Sequence, residues 1–262
     1  THQYFEANKE LWNQRTVVHK DSAFYNLAGF KAGETVLTPI ELNELGDVKG
    51  KTMLHLQCHF GMDSLDWARK GATVTGVDLS DAAINEARKL NKELGLNASF
   101  VCCNVLDTCD FVKEQFDIVF TSYGTIGWLP DLKPWARVVA EKLKPGGFFY
   151  IAEFHPVIWI FDDDFTHIKY SYENRDVIVT ENEGTYTDRN ADIKGKEYSW
   201  NHSISEVINA LTGAGLKIEK FNEHMYSPYP CFRNTVEFET GKWHIKGLEG
   251  KIPLVYSLKA TK

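Results

Sequence analysis

The stretch "LHLQCHFGMDSLDWA", residues 54–68, decides the fold. It runs from an apolar strand through a short loop ending in Gly61 into a helix, which is the order of a nucleotide-binding turn. Such loops usually carry several glycines, because a pyrophosphate requires close approach of the backbone. Here Gln57 and His59 stand in the loop instead. The sequence therefore predicts a binding loop that differs from those for NAD or ATP.

Three carboxylates indicate which ligand the loop suits. Asp63 and Asp66 lie at the start of the helix, where negative side chains compensate the helix dipole and repel phosphate. The second strand, "TVTGVDLS", ends in Asp78, which is 78 − 57 = 21 residues past Gln57. An acid at about this distance accepts the hydroxyls of a ribose. We therefore expect a nucleoside ligand without phosphates, such as S-adenosylmethionine.

Strands and helices alternate from about residue 51 to 154, and the strands are nearly continuous apolar runs. This pattern predicts a parallel, doubly wound α/β sheet covered by helices on both faces. Residues 157–200 are polar, and "VIVTEN" and "GTYTD" within them suggest a small antiparallel β insertion after strand five, over the substrate site. Residues 1–45 are predicted to form an N-terminal helical cap. We expect one domain over residues 1–262, closed by the strands "LKIEKFNEH" and "IPLVYSLKA".

Composition excludes several classes of protein. The net charge of −7 disfavours nucleic acid, which requires clustered Lys and Arg. The five cysteines are odd in number and form no CxxC pair, so we expect free thiols in a reducing compartment. The opening residues lack a signal-peptide pattern, and no apolar run approaches a membrane span. The expectation is a cytoplasmic protein, either a monomer or a homodimer, with no membrane or nucleic-acid partner.

The chain resembles the class I S-adenosylmethionine-dependent methyltransferases, in a bacterial branch whose loop reads "LHLQCHFG". The segments that carry the resemblance are "LHLQCHFGMDSLDWARKGATVTGVDLSDAAI", "FDIVFTSYGTIGWLPDL", "LKPGGFFYIAEFHP", "YSWNHSISEVINALTGAGL" and "IPLVYSLKA". They extend over nearly the whole sequence. The resemblance implies a Rossmann-like sheet of seven strands whose last strand runs antiparallel, with S-adenosyl-L-methionine as cofactor.

The resemblance also implies a set of cofactor-binding residues. Asp78 would bind the ribose, and Asn104 stands where an aspartate commonly meets the adenine amino group. The alternatives are a helix-entry role for Asp78 and a turn role for Asn104. His55 departs from the pattern, since many relatives have an acid there that anchors the amino group. The full predicted set is Gln57, Cys58, His59, Gly61, Asp78, Leu79, Asn104, Val105, Thr121, Ser122 and Tyr123.

Three residues are candidates for catalysis. Glu153 and His155 end strand five, two residues apart, and are predicted to face the substrate space as a general base with its orienting partner. His202 precedes a capped helix and is a second candidate to orient the base. The alternatives are that His155 only turns the chain and that His202 only bonds near the helix cap. A metal site built from these residues and His224 is disfavoured, because the spacing of metal ligands is missing.

Five further residues are predicted to contact the substrate. Trp128, Trp200 and Asn201 follow strand ends or precede a helix, and Arg15 and Tyr25 lie in the segment that folds over the cofactor in the resembling family. For the aromatic residues the alternative is burial in the core, and for Arg15 it is an exposed helical charge.

We therefore expect methyl transfer from S-adenosylmethionine to a small-molecule acceptor with an oxygen or nitrogen nucleophile. Positioning in line with the methyl group supplies most of the rate in such a reaction. The alternative is a non-catalytic sensor that binds S-adenosylmethionine or S-adenosylhomocysteine. A nicotinamide oxidoreductase is disfavoured by the composition of the loop.

Overall fold

A seven-stranded mixed sheet forms the centre of the protein. The computed structural model describes residues 2–173 and 176–262. The strand order is β3-β2-β1-β4-β5-β11-β8, and β11 runs antiparallel to both of its neighbours. This confirms the predicted Rossmann-like sheet with its antiparallel last strand. The seven strands are β1 (Thr52–Leu56), β2 (Thr73–Asp78), β3 (Ala98–Cys102), β4 (Phe116–Ser122), β5 (Leu143–Phe154), β8 (Lys217–His224) and β11 (Val255–Thr261).

Helices pack on both faces of this sheet, as its apolar strands require. Trp135 and Leu211 cover one face, and Ile40 and Trp67 belong to the cluster on the other face. All four side chains are almost fully buried, and each such burial contributes roughly 1.5–3 kcal/mol. The α-helices of the described residues are α1 (His2–His19), α2 (Leu27–Lys31), α3 (Pro39–Leu45), α4 (Met62–Arg69), α5 (Asp81–Leu94), α6 (Thr108–Phe111), α7 (Leu132–Lys142) and α8 (Ile204–Gly213).

Two antiparallel hairpins lie outside the central sheet. The first pairs β6 (Ile178–Glu183) with β7 (Lys194–Ser199) and confirms the small β insertion after strand five. The prediction that "GTYTD" is a strand was wrong, because these residues turn the chain between β6 and β7. Residues 174 and 175 of the predicted insertion lie outside the described residues.

The second hairpin, β9 (Thr235–Glu239) with β10 (Lys242–Ile245), was not predicted. Its strands are only five and four residues long, and β9 is mostly exposed, so each offers little sequence by which a strand is recognised.

The segment before β1 folds as the helices α1, α2 and α3. Helix α1 packs against both β7 and α5, so it joins the hairpin of the insertion to the helix that follows β2. In a parallel sheet the carboxyl ends of β1, β2 and β4 meet at one edge, and ligands bind in the crevice outside that edge. Helix α1 and the β6–β7 hairpin lie over this edge and line its cavity.

Candidate active site

A cavity of about 820 Å³ lies at the carboxyl edge of the sheet. This volume is within the range of small-molecule and cofactor sites. Its floor consists of the loops after β1, β2, β4 and β5, and its roof includes α1 and the β6–β7 hairpin. Acidic side chains outnumber basic ones in its lining: Glu34, Asp63, Asp78, Glu153, Asp163, Glu183 and Glu197 against Arg15, Arg189 and Arg233.

The loop after β1 has the backbone of a glycine-rich loop without its glycines. Gln57 and His59 have φ of 56° and 51°, in the left-handed region that non-glycine residues rarely adopt. Each such residue costs of order 1–3 kcal/mol, which the surroundings must offset. Gly61 has φ of 80°, and a Cβ there would lie 2.7 Å from the Phe100 ring. Glycine is therefore retained only where both the backbone and the packing require it.

Asp78 joins this loop to the end of β2. One carboxylate oxygen accepts a hydrogen bond from the His59 backbone N–H at 2.8 Å, and the other accepts one from the Ser80 N–H at 2.8 Å. Burial raises the pKa of Asp78, and the two N–H donors oppose that rise. The side chain lines the cavity, so the remaining lone pairs of both oxygens are available to a ligand diol.

Gln57 and Glu153 shape the loop after β4. The Gln57 amide donates to the Thr125 carbonyl at 2.8 Å, whereas its buried Oε1 has no hydrogen-bond partner among the described residues. Glu153 accepts hydrogen bonds from the backbone N–H groups of Gly124, Thr125 and Ile126. A carboxylate with this many donors holds a loop in place, and the unpaired Oε1 is left for a ligand donor.

The roof of the cavity is fastened by Arg15. Its guanidinium pairs with Glu197 of β7 at 2.6 Å and lies near the rings of Trp12 and Trp128, with centroid distances of 5.1 and 5.7 Å. Asn8 adds two hydrogen bonds to the backbone of Tyr198, at 2.8 and 3.0 Å. Helix α1 is thus tied to the hairpin by charge, stacking and backbone pairing.

His59 connects the cofactor loop to this roof. Its Nε2 lies 3.0 Å from Nδ1 of His19, and the Nε2 of His19 lies 2.7 Å from the Thr185 hydroxyl. Burial lowers the pKa of His19 to about 3 and also holds the pKa of His59 well below its usual range. Both rings are therefore neutral near pH 7, and the N–H of one ring donates a hydrogen bond to the unprotonated nitrogen of the other. Sequence reasoning missed His19, since its partners are 40 and 166 residues away.

Asp63 is the second cavity-facing carboxylate of the floor. Ser122 at the end of β4 donates a hydrogen bond to it at 3.1 Å. Burial raises its pKa to about 6, with a contribution from Asp66, while the Ser122 bond acts in the opposite direction. Asp66 itself is buried and accepts hydrogen bonds from Thr35 and Val36, so it serves the packing of α4.

The structure brings most of the predicted site residues to this one cavity. Of the cofactor set, all but Thr121 line it; Thr121 is buried and donates to the Leu56 carbonyl at 3.0 Å. Asn104 lines the cavity while its side chain also caps the turn at Leu106, so its predicted turn role is observed beside its cavity position. The predicted substrate residues Arg15, Tyr25, Trp128, Trp200 and Asn201 all line the cavity.

The predicted catalytic residues are separated. His155 contacts Glu223 of β8 at 2.9 Å and accepts from the Val157 N–H, and it does not line the cavity. His202 does line the cavity, but its Nε2 lies 2.7 Å from the Leu129 carbonyl. Its Nδ1 lies 3.0 Å from Glu206 without hydrogen-bond geometry. The structure therefore does not bring Glu153, His155 and His202 together as one acid–base unit.

Within residues 2–173 and 176–262, no cluster of three or more His, Cys, Asp or Glu side chains is arranged to hold a metal ion. The five cysteines are all free thiols in the described structure. No helix in these same ranges is both long and apolar enough to cross a bilayer.

Comparison with known proteins agrees with this geometry. Residues 53–147, which span β1 to the start of β5, match the family described as "Methyltransferase domain". The chain has the fold of S-adenosylmethionine-dependent methyltransferases. A methyltransferase of this kind from Methanosarcina mazei superposes with a TM-score of 0.57 at 22% identity, covering 86% of this chain and 98% of the other.

A second solved structure is the geranyl diphosphate C-methyltransferase from Streptomyces coelicolor A3(2), in complex with Mg²⁺, geranyl diphosphate and S-adenosyl-L-homocysteine. It superposes with a TM-score of 0.56 at 16% identity, covering 85% of this chain and 76% of the other. A ubiquinone biosynthesis O-methyltransferase from Pseudomonas syringae pv. tomato is 30% identical over 130 residues, 48% of this chain and 56% of that protein. The chain thus spans about half the length of this curated relative.

Proposed function

We propose that this protein transfers a methyl group from S-adenosyl-L-methionine to a small-molecule acceptor with an oxygen or nitrogen nucleophile. The observation that carries the proposal is Asp78, a half-buried carboxylate held by two backbone N–H groups at the end of β2 and lining the cavity. The methyltransferase match of residues 53–147 and the O-methyltransferase relative support the same activity.

The residues of the cavity fit this cofactor. Asp78 is placed for the ribose, and Leu79, Asn104 and Val105 lie next to it in the lining, on the side of β2 and β3 where the adenine would bind. The unpaired Oε1 of Gln57 offers an acceptor to the methionyl arm. The acidic lining suits a ligand that carries a sulfonium and an ammonium group.

For this reaction the protein must mainly hold the methyl donor and the acceptor in the correct relative position. When bound, S-adenosylmethionine supplies a methyl carbon that is already activated by the positive sulfur. Glu153 fixes the Gly124–Ile126 loop at the end of β4, and Arg15 with Trp128 closes the roof above it. Holding two reactants in line in this way contributes roughly 7–11 kcal/mol. Glu153 and His202 act in this proposal by positioning loops, through their bonds to Thr125 and Leu129.

The acceptor occupies the space beyond the loop after β4. Phe154, Trp159 and Phe232 pack edge to face there. The ring centroids are 4.9 Å apart for Phe154 and Phe232, 5.7 Å for Trp159 and Phe232, and 6.0 Å for Phe154 and Trp159. Trp200 and Asn201 complete the wall on the side of the insertion. An aromatic wall of this kind suits a small acceptor with an apolar body.

Calorimetry combined with a methyl-release assay tests the proposal. We expect S-adenosylhomocysteine to bind with one site per chain, NAD not to bind, and at least one small acceptor to release the demethylated cofactor. Equal binding of both cofactor forms without turnover on any acceptor would favour a sensor. Clear NAD binding without S-adenosylhomocysteine binding would reject the proposed function.

A further inference from the structure

Helix α4 carries two acids, Asp63 and Asp66, and they differ in their hydrogen bonds and in their position relative to the cavity. The carboxylate of Asp66, one turn later, accepts hydrogen bonds from Thr35, Val36 and Leu37. Asp63 receives only the Ser122 hydrogen bond and lines the cavity. In the part of the chain that the structure describes, no Lys, Arg or His forms an ion pair with it. A partly buried carboxylate without a counterion is costly, so a cationic ligand group at this place would stabilise it.

Three tyrosines line the same cavity as this carboxylate. Tyr25, Tyr186 and Tyr229 are cavity residues close enough that, after burial, the charge of Asp63 helps to raise the pKa of Tyr25 and Tyr229. The hydroxyls of Tyr25 and Tyr186 hydrogen-bond to each other across the roof. Tyrosine faces attract cations, and a carboxylate beside them defines a site for an ammonium group.

The position of Asp63 along the sheet edge shows which end of the ligand it meets. Asp78 marks the ribose at β2, and the order β2-β1-β4 then leads past Gln57 to Ser122, the partner of Asp63. A cofactor that lies along this edge, with its sugar at β2, places its methionyl end between β1 and β4.

His55 cannot supply charge at that place. It is buried at the end of β1, its Nδ1 lies 2.7 Å from the Ser64 hydroxyl, and burial lowers its pKa to about 3. The ring is therefore neutral near pH 7. The acid expected at position 55 from the family resemblance is thus absent, and a carboxylate stands eight residues later on α4 instead.

We propose that Asp63 binds the α-ammonium group of the methionyl arm, in the cavity that Tyr25, Tyr186 and Tyr229 also line. This inference rests on the proposed function, because it concerns the same ligand. It relocates the charged anchor from the first strand to the first turn of α4, where Ser122 orients the carboxylate.

The test compares two ligands on two proteins. Wild type and Asp63→Asn are titrated calorimetrically with S-adenosylhomocysteine and with its deaminated analogue, in which hydrogen replaces the α-amino group. Loss of one charge-assisted pair predicts a Kd for S-adenosylhomocysteine about 10- to 150-fold higher in the variant. The analogue is expected to bind both proteins equally. The matched control is Asp110→Asn, which removes one charge at an exposed position of α6 outside the cavity and should leave both affinities unchanged.

Each result decides between the possibilities. Equal loss of both ligands in Asp63→Asn, or no loss of either, would overturn the inference and leave the proposed function intact. If wild type binds neither ligand, the proposed function itself fails. A variant that retains cofactor binding but loses turnover only on amine acceptors would assign the carboxylate to the acceptor, which also overturns it.

Wild type alone provides a second measurement should Asp63→Asn fail to fold. Asp66 on its own helix raises the pKa of Asp63, and the hydrogen bond from Ser122 lowers it. The charge of Asp63 in turn contributes to raising the pKa values of Glu41, Cys58 and the three tyrosines. Because its pKa is about 6, protonation at pH 5 should reduce the preference for S-adenosylhomocysteine over the analogue by about tenfold relative to pH 8. An unchanged preference would contradict the inference.

Discussion

Replacing Asp78 by asparagine tests the residue on which the proposed cofactor site depends. In the wild type each carboxylate oxygen accepts one backbone N–H, from His59 and from Ser80, at 2.8 Å. Asparagine retains an acceptor on one side only. Its NH₂ group then meets a backbone N–H from which it cannot accept, and it also loses the negative charge that strengthens both ribose hydrogen bonds.

The expected loss follows from this change in hydrogen bonding. A hydrogen bond to a charged group contributes roughly 1.5–3 kcal/mol, and the variant forfeits about one of the two. Since 1.4 kcal/mol corresponds to a factor of ten, Kd for S-adenosylhomocysteine should rise about 10- to 150-fold. The free energy of unfolding should fall as well, by about 1–3 kcal/mol, because one N–H of the His59–Ser80 pair is left without an acceptor.

Calorimetric titration of both proteins measures the change in affinity, and the 2′,3′-dideoxy form of the ligand serves as the internal comparison. The dideoxy ligand should bind wild type and Asp78→Asn alike, since it has no hydroxyls to lose. Asp107→Asn, an exposed acid beyond β3, is the control for altered net charge. A Kd for S-adenosylhomocysteine that does not move in Asp78→Asn would refute the ribose assignment.

Three further changes probe the stability, the roof and the predicted base. Glu41 is fully buried and its pKa is raised to about 7 by burial, so its contribution to stability is present below pH 4.5 and is lost as pH rises through 7. At 1.36 kcal/mol per pKa unit, the free energy of unfolding of the wild type should fall by about 3 kcal/mol over this range. Denaturant unfolding at pH 5 and pH 8 should show this fall in the wild type and not in Glu41→Gln. The same pH dependence in both proteins would contradict the assignment. Arg15→Ala breaks the buried ion pair with Glu197, and removing one partner of such a pair costs roughly 3–5 kcal/mol. Amide hydrogen exchange should therefore accelerate in β7 but not in β4. Equal acceleration in both strands would contradict the role of Arg15 in holding the hairpin on α1. His155→Ala should leave turnover unchanged, because the ring contacts Glu223 outside the cavity; a large fall in turnover with cofactor affinity intact would restore it as the base.

The central sheet could be predicted because its signal is local. Runs such as "FDIVFTSY" are mostly apolar, and Gly95 marks where helix α5 ends. The β9–β10 hairpin escaped prediction because its strands are only five and four residues long and β9 is mostly exposed. Strand β7 escaped as well: "KGKEYS" has low strand propensity and is stabilised by Asn8 and Arg15 of α1, which are more than 180 residues away.

The candidate site also contains residues whose position could be predicted from the local sequence and residues for which it could not. Asp78 was predictable, since its distance from the loop and its place at a strand end are both written in the sequence. The role of Asp63 was not, because a carboxylate in the first turn of a helix has the same local pattern whether it serves the dipole or a ligand. Only the tertiary contact with Ser122, 59 residues away, and the use of Asp66 elsewhere distinguish the two.

The loop after β1 and the roof of the cavity are joined by a side chain that stands where such loops usually have glycine. Gln57 and His59 hold left-handed backbone conformations that glycine would adopt without cost, so their side chains must contribute what glycine cannot. Gln57 binds the loop after β4, and His59 binds His19 of α1, which in turn reaches Thr185 in the insertion. A glycine at position 59 would relieve the backbone but disconnect the floor from the roof. The side chains that replace glycine therefore tie this loop to the loop after β4 and to the roof of the cavity, which glycine could not do.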